Sequence, residues 1–144
     1  SYIAVKRYGD DNFSEYFQAS NLQDFIGFCP SSGPSVDIKN GEIAIAYTSY
    51  NNQNVYTSHS NLEDMDFSII LNANSNSNSF QNYPYILLDG NLHTVWVDQD
   101  GFDIYYGMTD VQTNLMLNIQ KISDDNSGST QKDPILYIQL ILLE

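Results

Sequence analysis

The chain has 144 residues, with 5 Lys plus Arg set against 18 Asp plus Glu and a formal net charge of −13. That length suits one domain or a few small repeats sharing a core, and so few cations argue against a phosphate-neutralising groove or an anionic membrane partner, so no nucleic acid and no membrane insertion are expected. The single Cys29 excludes an internal disulfide framework, and the longest apolar run, Ile135 to Leu143, is too short to span a bilayer as a helix.

The polar residues are mainly Asn, Ser and Gln, and Tyr occurs 11 times. Good surface helix formers are scarce, whereas Tyr, Ile, Val and Thr suit pleated strands, so the expected class is all-β. Such surfaces point to an extracellular, virion or cell-surface setting. Asn12-Phe13-Ser14 fits an N-glycosylation acceptor, and an opening at Ser1 fits a removed leader or excision from a longer chain.

In chain order, Ile3-Ala4-Val5, Tyr16 and Ser20-Asn21-Leu22 match Ile43-Ala44-Ile45, Tyr56 and Ser60-Asn61-Leu62 at one shift of 40. Pro34 opens strand A of the next unit. Asn40-Gly41 predicts a tight hairpin, because this dipeptide accepts positive φ. Strand B then runs from Ile43 to Tyr47, strand C from Val55 to Ser58 and strand D from Phe67 to Leu71. A polar run over 74–79 leads to Pro84, the Asp89-Gly90 hairpin, and strands over Leu92 to Val97, Phe102 to Tyr106 and Leu115 to Ile119. Pro134 opens a last apolar run, Ile135-Leu136-Tyr137-Ile138. The three prolines are spaced by 50, and Asn54-Val55-Tyr56-Thr57 matches Asp103-Ile104-Tyr105-Tyr106 at a shift of 49.

Four antiparallel strands in about 49 residues is the size of a β-propeller blade. The frame divides a single repeat domain, 1–144, into 1–29 (strands B to D of a first blade), 33–72 (second blade), 82–123 (third blade) and 133–144 (a strand A completing a blade). Three blades do not close a ring, so the expected partner is a second copy. The C-terminal strand would complete the N-terminal blade of a neighbour, giving a closed oligomer or a filament.

Asp89-Gly90-Asn91-Leu92-His93-Thr94-Val95-Trp96-Val97-Asp98, then Asp103-Ile104-Tyr105-Tyr106 and Thr109-Asp110, resembles sialidase-type (BNR-like) propeller repeats, with Thr109-Asp110 in the place of the Asp-box turn. Val111, Gln112 and Leu115 depart from that turn's pattern. Phe67 and Phe25, after Asp66 and Asp24, stand in the aromatic's place in the other units. The resemblance implies a propeller fold and, in catalytic members, three arginines on the substrate carboxylate with a Tyr/Glu pair and an Asp. This chain has one Arg, Arg7. One guanidinium cannot build a triple clamp, so no catalytic residue is assigned and the chain is expected not to be an enzyme.

Ligand-binding candidates come from the loops between strands B and C, where Tyr, Asn and Asp suit stacking and hydrogen bonding to a sugar, or a polar protein interface. They are Tyr8 and Asp10, then Tyr50, Asn51 and Asn52, then Asp98 and Asp100. Asp98, Asp100 and Asp103 around Gly101 also resemble a short calcium loop, although most turn Asp serves its own backbone. Calcium is thus the one cofactor weighed against an expectation of none. His59 and His93 lack a nucleophile and carboxylate at triad spacing. Trp96 and Tyr47 fall at equivalent positions, which predicts packing between repeats. The expected function is a non-catalytic module for glycan or protein recognition through the B–C loops. The alternatives are a fragment of a propeller glycoside hydrolase and a structural adhesion or capsid protein forming oligomers or filaments.

Overall fold

The computed structural model describes residues 4–6, 8–9, 12–13, 16–20, 33–73, 78–99, 102–123 and 134–137. Twelve strands and no helix occur among them. Eight of the strands form two four-stranded antiparallel meanders. The first is β5 (Ser35–Lys39), β6 (Glu42–Ser49), β7 (Asn54–Asn61) and β8 (Ile70–Asn72). The second is β9 (Gln81–Leu88), β10 (Asn91–Asp98), β11 (Asp103–Asp110) and β12 (Leu115–Lys121). Near the N-terminus, β1 (Ala4–Val5) pairs with β4 (Phe17–Gln18), and β2 (Tyr8–Gly9) with β3 (Asn12–Phe13). The described strands form no closed ring.

Alternation along β6 decides how the layers stack. Ile43, Ile45 and Tyr47 point to one face, where they are buried with Met65 and Phe67 and covered by Val5, Phe17 and Ala19 from the N-terminal strands. Ala44 and Ala46 point to the other face, against Ile86, Leu88 and Leu92 of the second meander. Alanine there keeps the surface flat enough for β9 to come close. Trp96 is fully buried between the meanders, against Val55 and Ala73. The expected equivalence of Tyr47 and Trp96 as packing residues between units thus holds.

Backbone polar groups at this interface are satisfied from specific side chains, as burial requires. Ser35 Oγ accepts the Ile86 N–H at 3.1 Å, and Asp37 Oδ2 accepts that of Leu88 at 2.7 Å. The Gln81 side chain, wholly buried, accepts the Val55 N–H at 3.0 Å through Oε1. Exposed Lys39 and Asp89 form an ion pair across the two A–B turns.

Several boundaries differ from the sequence reading. Asn40 and Gly41 both have positive φ, 52° and 83°, and close a two-residue hairpin between Lys39 and Glu42. The second turn is longer: Leu88 pairs with Leu92, so Asp89, Gly90 and Asn91 make the loop, and only Gly90 has positive φ. Pro84 does not open strand A but sits inside β9. Tyr83 has φ 51° and the register shifts between Val95 and Val97, a bulge on an edge strand, where a missing N–H is tolerated.

In the first meander strand D begins at Ile70 rather than Phe67. Ser58 Oγ bonds the Phe67 and Ile69 carbonyls at 3.4 and 2.8 Å, replacing ladder hydrogen bonds there. Near the N-terminus Tyr8 pairs with Phe13 and Gly9 with Asn12, a ladder in place of the expected B–C loop carrying Tyr8. The strand expected over 135–140 is absent from its described part, Pro134–Tyr137. Ile135 and Tyr137 are 71% and 80% exposed and gain no burial from a neighbouring sheet. The expected strand D of the first unit, the last part of 1–29, lies outside the described residues.

Candidate ligand-binding site

Hairpin polarity sorts the turns into two ends. The A–B and C–D turns share one end, as the Leu62 N–H donating to the Gly41 carbonyl at 2.8 Å attests. The B–C turns and the D–A connection share the other, where the Gln81 N–H donates to Gln53 O and the Gln99 N–H to Phe80 O, both at 2.9 Å. Segment 79–82 is thereby clamped between the two B–C turns.

The B–C turns have one design. Ser49 pairs with Asn54 and Asp98 with Asp103, so each encloses four residues, and the fourth is left-handed, Gln53 at φ 59° and Phe102 at 52°. Such turns hold their tips at fixed angles. Tyr50 is 41% exposed and meets Phe80 edge-on, ring centroids 6.3 Å apart. Asn51, Asn52 and Gln53 beside it are exposed, and the Asn52 N–H is held by Ser49 Oγ at 3.3 Å. Phe102 presents a second exposed ring on the next turn.

The candidates divide accordingly. Tyr50, Asn51 and Asn52 lie together on an open tip. Asp98 does not join them: it is buried at the end of β10 and hydrogen-bonded to Ser79 Oγ. Tyr8 stands in the β2–β3 ladder opposite Phe13 rather than in a loop. Asp10 and Asp100 lie outside the described residues. Asp103 faces Asp98 in register, yet its carboxylate is taken by Lys121 Nζ at 2.7 Å and Ser123 Oγ at 3.0 Å. Asp98 and Asp103 thus turn to separate partners. No group of three or more metal-ligating side chains occurs among the described residues.

Sequence reasoning missed Phe80, whose only signal was a lone aromatic closing a polar run. It also missed a cleft of about 330 Å³ at the opposite end, lined by Glu42, His59, Asp64, Asp66 and Gln112 among others. His59, on its wall, places Nε2 3.0 Å from Asn114 Oδ1. The C–D turns beside it are again one design. Asn61 Oδ1 accepts the N–H groups of Glu63 and Asp64 at 3.0 and 2.7 Å, and Asp110 Oδ1 accepts those of Gln112 and Thr113 at 2.8 and 2.9 Å. Each turn ends on a left-handed residue, Met65 or Asn114. The residue equivalent to Asp110 is therefore Asn61, not Asp66, which caps the Ser68 N–H at 3.0 Å instead.

Charge separates the two ends. Among the described residues of the two meanders, Lys39, Glu42, Glu63, Asp64, Asp66, Asp89 and Asp110 gather at the A–B and C–D end. At the B–C end the charged groups among the described residues are buried Asp98 and the Asp103–Lys121 pair. His93, on β10, stacks on Tyr106 with its Nδ1 2.8 Å from the phenol oxygen. Burial lowers its pKa below the usual 6.5 against the pull of Asp89, and burial raises that of Tyr106. No nucleophile or carboxylate pair converges with these groups among the described hydrogen bonds. No protein-family model matches the chain, and no curated protein matches its sequence.

Proposed function

We propose that this chain is a non-catalytic propeller module, built from degenerate sialidase-type blades, whose B–C end binds uncharged saccharides at a cell or virion surface. The observation that carries the reading is Tyr50, half open on a fixed turn, braced edge-on by Phe80 and flanked by exposed Asn51 and Asn52. An aromatic face stacks on the C–H surface of a sugar ring, and neighbouring amides donate to and accept from its hydroxyls. The meanders support the blade reading through their shared order, turn design and face-to-face stacking. An acidic sugar is disfavoured because one Arg in the whole chain leaves its carboxylate without a clamp.

The test is binding of the full chain to immobilised neutral hexose- and N-acetylhexosamine-terminated oligosaccharides beside sialylated ones. Neutral glycans should bind, and Tyr50→Ala should weaken binding at least tenfold, about 1.4 kcal/mol, without moving the thermal midpoint. Asp64→Asn at the far end should bind as the unaltered chain does. Binding of sialylated glycans alone, or full affinity in Tyr50→Ala, would overturn the reading, as would turnover of a fluorogenic glycoside.

A further inference from the structure

One strip of the first meander is left bare. Val5 and Phe17 cover the face of β6 that carries Ile43, Ile45 and Tyr47. β5 extends the same face, with Val36 opposite Ile45 and Ile38 opposite Ile43. Yet Val36 and Ile38 are 57% and 56% exposed, an apolar band one strand wide beside a closed core. Among the described residues β1 pairs on one side alone, with β4.

β5 itself shows what fills such a slot. It pairs with β6 on one side and presents Ser35 and Asp37 to β9 of the following sheet on the other. Since β1 matches part of β6 at a shift of 40, the bare slot lies beside β1 and over β5. It calls for a short apolar strand like β5, which follows Pro34. The chain carries one: Pro134-Ile135-Leu136-Tyr137-Ile138 repeats the spacing of Pro34 and Pro84. Its described part lies open, with Ile135 and Tyr137 mostly exposed. Residues 134–143 hold no charge, so this segment can approach a chain of net charge −13 without added repulsion.

We infer that the segment beginning at Pro134 of a second copy occupies this slot, pairing with β1 and covering Val36 and Ile38. Each copy carries both slot and segment, so two copies can exchange segments reciprocally about a two-fold axis, and the inferred assembly is this closed pair. Exposed apolar strands are an association liability when left uncovered; here the same feature is the joint. The inference is independent of the saccharide reading, since the B–C end takes no part in it.

Light scattering of the unaltered full chain should give twice the chain mass at micromolar concentration. Val36→Cys and Tyr137→Cys, placed on separate chains in a Cys29→Ser background, should form a disulfide-linked pair on mixing and oxidation. Neither variant should cross-link with itself. Ile38→Asp should reduce the mass to that of one chain while keeping the β-rich circular dichroism spectrum. A single-chain mass for the unaltered protein at all concentrations would overturn the inference. So would an internal bridge when both cysteines share one chain.

Discussion

Trp96 lies flat against Tyr105, its cross-strand partner, at 6.0 Å between ring centroids and 17° between planes. Tyr47 and Tyr56, 49 residues earlier in each case, repeat the arrangement at 5.9 Å and 21°. Two stacked pairs at the same ladder position bind each second strand to its third and fill the space between layers. The edge of the indole also crowds Gly107: a Cβ added there would stand 3.1 Å from Trp96 Cζ3 and 3.3 Å from Met116 Sδ. Gly107→Ala should therefore destabilise by about 1–3 kcal/mol through overpacking. Trp96→Ala should cost about 3–5 kcal/mol through the cavity it leaves. Urea denaturation followed by tyrosine fluorescence measures both.

Asp110 should tolerate Asn and not Ala. Its carboxyl is held below the usual 3.8, first by the Thr113 N–H and then by that of Gln112. The group thus stabilises the fold above its unfolded value, and that contribution is lost as pH falls through the folded value. Asp110→Asn keeps the acceptor, as Asn61 does in the first meander, and should flatten this part of the acid limb. Asp110→Ala should lower the thermal midpoint at neutral pH.

Thr57 and Thr94 are buried in the two meanders, and their hydroxyls find no partner among the described residues. A buried hydroxyl without a partner costs about 1–3 kcal/mol. Thr94→Val keeps the shape and removes the cost, so the urea midpoint should rise. An unchanged or lower midpoint would show that the hydroxyl is satisfied.

His93 should make the protein sensitive to mild acid. Its folded pKa lies below the ordinary 6.5 because burial disfavours the imidazolium. Below that ordinary value the unfolded chain takes up a proton that the folded chain resists, so stability falls with pH until the folded value is passed. Denaturation curves between about pH 7 and pH 5 should separate the unaltered chain from His93→Gln, which loses this part of the slope.

Much of the fold could be read from particular residues, and the failures have particular causes. Asn40-Gly41 was legible because both residues of a two-residue turn must take positive φ and this dipeptide does so readily. Asp89-Gly90 looked the same, but its turn needs one left-handed residue, and Asn91 completes the loop. Nothing in the sequence marks Tyr83 as left-handed, so the bulge that admits Pro84 into β9 was hidden. The kinship of Asn61 and Asp110 is hidden in the sequence because one is an amide and the other a carboxylate, although either side chain offers the oxygen that caps the turn. At the candidate site, Tyr50, Asn51 and Asn52 were visible as a polar turn between two strands. Asp98 read as one of them because its partner, Ser79, arrives from a segment 19 residues away.

The uneven placement of charge gives the molecule a heading. Living surfaces coated with acidic glycans repel the end that carries Glu42, Glu63, Asp64 and Asp66 more strongly than the end that carries Tyr50. Within a screening distance of about 8 Å at physiological salt, a tumbling molecule is therefore turned so that its less acidic end arrives first. Repulsion at the tail does the aiming that attraction does in basic proteins, and added salt switches it off.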